Sequence, residues 1–171
     1  MVVVVTGNNT LNAGEPLATQ TRRQATGRIR ILVVDDDATL LLWSATVLGD
    51  SGYQVDTAED GDGGWEALHA RNYDLLITDN NMPKVSGVEL VKRLRGEAWA
   101  IPVILVSGEM PRDELKRNPW LHLAGTLEKP FSRKELLEAV KEVLGQSANV
   151  REYIKPRPVR ESGRAVESLQ R

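Results

Sequence analysis

The stretch "YDLLITDNNMPKVSGVELVKRLR", residues 73–95, decides the fold. Its first part is a continuous apolar run that stops abruptly at a carboxylate, Asp79. Apolar residues without polar alternation belong to a strand buried on both faces. The part from Gly87 onward has helical spacing. A doubly buried strand leading into a helix is half of a βαβ unit. Asp79 therefore reads in one of two ways: as a surface turn, or as a carboxylate that the strand exists to present.

The same alternation extends in both directions. "RIRILVV" (28–34) is an apolar strand ending in Asp35-Asp36-Asp37, and "ATLLLWSATVL" (38–48) is a helix that stops at Gly49 and Gly52. Its spacing turns Leu40, Trp43 and Val47 toward the sheet and Leu41 and Leu42 outward, where charged residues are the usual choice. "YQVDTA" (53–58) is a short strand, and "DGGWEALHAR" (62–71) a helix whose opening glycines weaken its first turn. After residue 95, "IPVILVS" (101–107) is a buried strand ending at Ser107. Pro111 and Pro119 restrict any helix in 109–123 to a short one. "GTLEK" (125–129) is the last strand and "SRKELLEAVKEVL" (132–144) the last helix. That helix opens with a capping box of Ser132 and Glu135, with Phe131 and Leu136 at staple positions.

Five strands alternating with five helices predict an α/β fold with a doubly wound parallel sheet. In open sheets of this kind ligands bind beyond the carboxyl ends of the strands. Those ends carry Asp35, Asp36 and Asp37, then Asp79, Ser107 and Lys129, all on one edge.

Composition narrows the chemistry. The 171 residues contain no cysteine, which excludes disulfides, thiolate metal sites and cysteine nucleophiles, and two histidines are too few for a histidine-based metal cluster. No run is long enough to span a membrane, and "MVVVV" lacks the basic flank of a signal peptide, so a cytoplasmic location is expected. The net charge of −2 is unevenly spread: +2 over 1–28, +3 over 146–171, and hence −7 between them. Residues 1–28 read as a disordered leader, 29–145 as one acidic domain and 146–171 as a disordered basic tail.

Carboxylates gathered at one edge repel one another unless a cation joins them. Oxygen donors of this type suit Mg²⁺. A carboxylate can also attack phosphorus to give an aspartyl phosphate, with a lysine and a hydroxyl holding the other phosphoryl oxygens. Taken singly, each residue has a plainer role: Asp37 as the cap of the first helix, Ser107 before Gly108 as a turn, Lys129 as a surface lysine. Their joint placement at successive strand ends favours a phospho-accepting site.

The motifs "ILVVDDD", "LLITDNNMPKVSG", "IPVILVSG" and "EKPF", in this order, resemble the receiver domain of two-component response regulators, including the stand-alone chemotaxis type. The resemblance covers about residues 29–145. It implies a flavodoxin-like sheet of order 2-1-3-4-5. It also implies Asp79 as phosphoacceptor, Asp35, Asp36, Asp79 and the Asn81 carbonyl as Mg²⁺ ligands, and Ser107 and Lys129 as phosphoryl-binding groups. Gly108 leaves room for the hydroxyl, Lys129–Pro130 corresponds to a cis peptide, and Asn81 and Glu109 tune hydrolysis toward a short-lived phosphoryl state. The expected partners are a sensor histidine kinase or histidine phosphotransfer protein, docking on the first helix, and a downstream protein target. Dimerisation is left open.

One departure stands out. Thr126 occupies the switch position, where many receivers carry an aromatic ring, so output through 109–120 and Trp120 is the alternative route. About 26 residues follow the last helix, too few for a DNA-binding domain. The expected function is a single-domain response regulator, with no enzymatic activity beyond its own phosphorylation and dephosphorylation. Two other functions compete: a phosphorylation-independent scaffold, and an Asp-nucleophile phosphatase. The phosphatase would need an aspartate where Asn81 stands.

Overall fold

A computed structural model describes residues 28–151, with side chains as far as Gln146. The elements in order are β1 (Arg30–Val34), α1 (Ala38–Asp50), β2 (Gln54–Ala58), α2 (Gly61–Ala70), β3 (Leu75–Asp79) and α3 (Gly87–Gly96). They continue with β4 (Val103–Ser107), α4 (Arg112–Arg117), a 3-10 turn at Pro119–Leu121, β5 (Gly125–Glu128) and α5 (Arg133–Arg151). The strands form one parallel sheet of order β2-β1-β3-β4-β5, as the sequence predicts. The chain leaves β1 for one edge and returns through β3 to build the other. The crevice of this sheet therefore opens above β1 and β3.

Successive residues of each central strand feed opposite faces of the sheet. Leu32, Val34, Leu76 and Leu105 pack with α2 and α3 through Leu68, Val88, Leu90, Val91 and Leu94. Ile31, Val33, Leu75, Ile77, Ile104 and Val106 pack with α1 and α5 through Leu41, Val47, Leu48, Leu136 and Val140. Both faces are packed with apolar side chains, which is why the central strands β1, β3 and β4 read as nearly unbroken apolar runs.

The glycines that open α2 serve packing. A Cβ on Gly64 would lie 2.9 Å from Val34 Cγ2, and one on Gly61 would lie 2.8 Å from the Val85 side chain and carbonyl. The helix trades propensity for a close approach to the sheet. Its first turn is secured by Asp60, whose Oδ1 accepts from Gly63 N at 2.8 Å.

Two expectations need correction. In α1 the buried face is Leu41, Ser44, Val47 and Leu48, not the stripe through Leu40 and Trp43. Leu41 is 5% exposed and Leu42 72%, so the expected outward pair is a single leucine. The buried stripe lies one residue further on at Leu41 and Ser44, while Val47 is buried as expected. Trp43 instead turns toward α5 and meets Phe131, with ring centroids 5.8 Å apart. The last helix runs to Arg151 rather than ending near the expected boundary at 145. The leader through residue 27 and the tail beyond 151 lie outside the described residues. The capping box does form: Glu135 Oε2 accepts from Ser132 N at 2.7 Å, and Ser132 Oγ from Glu135 N at 3.3 Å.

Candidate functional site

Asp35, the first residue after β1, is 3% exposed, and Asp79, the last of β3, is 2% exposed. The neighbouring strands β1 and β3 bring them together. Lys129, just past β5, reaches in from the far edge and places Nζ 2.7 Å from Asp35 Oδ2 and 2.7 Å from Asp79 Oδ1. One ammonium thus serves two buried carboxylates. The second oxygen of Asp79 accepts a short hydrogen bond from Asn81 N, and the second oxygen of Asp35 accepts from Asp37 N at 2.9 Å.

The electrostatics follow from that sharing. Burial pushes the Asp35 carboxyl above the ordinary carboxylate value, opposed by Lys129 and reinforced by the nearby Asp79 charge. Burial acts against the Lys129 charge as well, but hydrogen bonds to Asp35 and Asp79 outweigh it and raise the ammonium's pKa. The lysine stays charged, with more negative charge around it than it can neutralise.

The loops around this centre are firmly held. Asp37 Oδ1 caps α1 by accepting from Thr39 N at 2.8 Å and Leu40 N at 3.2 Å, its expected role. Asp36, between two engaged aspartates, is exposed. Ser107 is fully buried at the end of β4; its Oγ donates to the Glu109 carbonyl at 2.6 Å and accepts from Glu109 N at 3.2 Å. Lys129 N donates to the Ser107 carbonyl at 2.9 Å, and the Lys129–Pro130 peptide is cis. Asn81 and Glu109 line one cleft of about 410 Å³ together with Arg112 and Arg117. A Cβ on Gly108 would meet nothing within 4 Å, so the space beside Ser107 is open. Thr126 lies on β5, exposed, in register with Leu105. Trp120 is exposed in the 3-10 turn, its Nε1 donating to Asn118 Oδ1 at 3.2 Å.

The sequence reading missed two residues. A Cβ on Gly87 would lie 2.3 Å from the Asp79 carbonyl oxygen, so α3 begins directly against the residue that ends β3. Asn80, beside Asp79, bonds to both ends of the loop that follows β3. A glycine at a helix start and an asparagine after a strand are common turn residues, and type alone gave no reason to single them out.

Among the described residues no three His, Cys, Asp or Glu side chains form a group that could hold a metal ion. A Mg²⁺ ion does not require three; it takes one or two carboxylates and keeps several waters. The surplus negative charge around Lys129 and the carboxylate oxygens of Asp35 and Asp79 fit a small, hard cation.

A five-stranded parallel sheet that buries two carboxylates under a lysine at its switch point defines a class: doubly wound proteins with an acidic pocket at the strand ends. Residues 31–141 match the response regulator receiver domain family, and the chain belongs to it. It is 31% identical over 118 residues to a chemotaxis protein CheY of Pseudomonas aeruginosa, covering 67% of this chain and 95% of that one. It is 32% identical over 123 residues to the transcriptional regulatory protein DltR of Streptococcus agalactiae, covering 72% of this chain but 55% of DltR. Among solved structures, the chemotaxis response regulator CheY4 of Vibrio cholerae aligns with a TM-score of 0.63 at 28% identity, covering 68% of this chain and 99% of that one.

Proposed function

We propose that this receiver accepts a phosphoryl group on Asp79 from a histidine kinase or histidine phosphotransfer protein, and signals in the cytoplasm through altered partner binding. One observation carries the reading: Lys129 Nζ sits 2.7 Å from Asp79 Oδ1 at the mouth of the sheet crevice. A merely structural aspartate at a strand end has no need of a lysine brought from two strands away.

In the transfer, an Asp79 carboxylate oxygen bonds to the phosphorus of a phosphohistidine as the P–N bond breaks, and the imidazole leaves with the bonding pair. Burial strips water from the carboxylate, and the Asn81 N–H fixes one of its oxygens. Lys129 offers its charge to the incoming phosphoryl oxygens. Ser107 must exchange its bond with the Glu109 carbonyl for one with the phosphoryl group, which ties occupancy of the site to the loop leading into α4. Asp35, Asp36, Asp79 and the Asn81 carbonyl would hold Mg²⁺, whose role is to neutralise charge on the phosphoryl oxygens.

The donor's docking place is the cleft of about 340 Å³ between α1 and the loop leading into α5, lined by Leu40, Trp43, Pro130 and Phe131 beside Lys129. Leu42 is a further exposed apolar side chain on the same helix, α1. With Thr126 exposed, output is assigned to α4 and the segment after it rather than to an inward-swinging side chain at that position.

The test is incubation with acetyl phosphate and Mg²⁺ followed by intact mass spectrometry. One labile phosphoryl group per chain, lost with chelator and absent from Asp79→Asn, is expected. An unmodified wild type would favour a scaffold, and steady turnover of phosphate esters would favour a phosphatase.

A further inference from the structure

Asn80, the first residue after β3, is bonded both to β4 and to the first turn of α3. Its N–H donates to the Val106 carbonyl at 2.8 Å, which continues the β3–β4 ladder. Its side-chain Oδ1 accepts from Val88 N at 3.3 Å in the first turn of α3. Its Nδ2 donates to Asn81 Oδ1 at 3.2 Å. The Asn80 carboxamide is thus anchored at its oxygen, and its nitrogen is spent on its neighbour.

A carboxamide has one accepting end and one donating end. With Oδ1 of Asn81 held by Asn80, the free end of Asn81 is Nδ2, a donor. Across the same cleft stands Glu109, whose carboxylate only accepts. A water molecule held between the two would accept from Asn81 and donate to Glu109, keeping a lone pair for phosphorus. We infer that Asn80 is a positioning residue: it fixes the orientation of the Asn81 carboxamide and thereby sets the rate at which the phosphoryl group is hydrolysed. The inference rests on the phosphoacceptor role proposed for Asp79. In the step itself the water oxygen bonds to phosphorus as the bond from phosphorus to the Asp79 oxygen breaks. Asp79 leaves as a carboxylate, and the water proton passes through Glu109 to the released phosphate.

The substitution Asn80→Asp separates this role from a structural one. Aspartate still accepts from Val88 N, so the start of α3 keeps its bond. It cannot donate to Asn81 Oδ1, and it attracts Nδ2 instead, which turns the amide around. The 171-residue chain is phosphorylated with acetyl phosphate, desalted into Mg²⁺ buffer, and followed by intact mass. Loss of the phosphoryl group about five-fold slower than wild type is expected, the effect of one hydrogen bond, with an unchanged thermal midpoint. In an Asn81→Ala background the same substitution is expected to change the rate by less than about two-fold. An unchanged rate in the single variant, or the same slowing in the Asn81→Ala background, overturns the inference and leaves the phosphoacceptor intact. Failure of the wild type to form any adduct overturns both.

Discussion

Lys129 sets the terms of the site because it is one charge shared between two buried carboxylates. Asp35 bears the cost of that arrangement. Its folded pKa is raised, so as pH climbs past about 3.8 the unfolded chain releases this proton first. The Asp35 contribution to stability is therefore present at low pH and lost as pH rises through the folded value. Asp35→Asn keeps the oxygen that accepts from Asp37 N and removes the ionised group. It should stabilise the protein by about 1 kcal/mol at pH 7 and flatten that part of the stability–pH curve, as urea denaturation at several pH values would show. A destabilised Asp35→Asn would mean that the Lys129–Asp35 pair outweighs burial. The raised Lys129 pKa acts with the same sign in an alkaline window: its contribution persists up to about pH 10.5 and fades as pH rises through the folded value. Gly87 is constrained by distance alone. Gly87→Ala puts a methyl against the Asp79 carbonyl oxygen and should cost about 3 kcal/mol, with slower phosphorylation by acetyl phosphate in the fraction that folds. The charged residues of the site were legible in the sequence because a strand end filled with carboxylates is unusual. Asn80 and Gly87 were not, because their roles lie in hydrogen bonds and closeness rather than in residue type.

Among the elements, α4 has no buried residue and no side-chain cap. Ion pairs tether it on either side, Lys92–Glu114 at 2.7 Å to α3 and Arg112–Glu128 to the end of β5. Exposed ion pairs weaken with salt, whereas apolar packing does not. Amide exchange across 112–117 should speed up between low and 1 M NaCl while that of α3 stays constant; equal response in both helices would show that α4 is held by packing. The end of α3 offers a second test. Ala98 N donates to the Arg95 carbonyl at 3.0 Å and Trp99 N to the Leu94 carbonyl at 2.9 Å, a Schellman turn with Ala98 at φ +59°. Only glycine adopts that conformation without strain, so Ala98→Gly should add about 1 kcal/mol, read as a higher thermal midpoint. Element types followed from periodicity, and the prolines correctly confined α4 to a short helix. The phase of α1 did not follow: its run of leucines is apolar all round, so the stripe could be drawn through Leu40 or Leu41, and only contact with the sheet decides. Likewise "GQSAN" after Leu144 carries a weak helix signal, and the chain continues the helix through it to Arg151.

At the scale of the whole molecule, the sheet works as a rigid frame. Its two apolar faces are covered by α1 and α5 on one side and α2 and α3 on the other, which leaves the carboxyl edge as the place where polar groups from distant segments converge. This much was legible because a doubly buried strand has an unmistakable composition and the ligand edge of a parallel sheet is fixed by topology. The central claim is that the frame exists to let Asp79 carry a phosphoryl group. Borohydride reduces an acyl phosphate on aspartate to homoserine, releasing phosphate, and so marks the phosphorylated residue permanently. After treatment with acetyl phosphate and Mg²⁺, peptide mass mapping should find homoserine at position 79 and nowhere else. Homoserine at Asp35 or Asp36, or none at position 79 in protein that has gained the phosphoryl mass, would contradict the account.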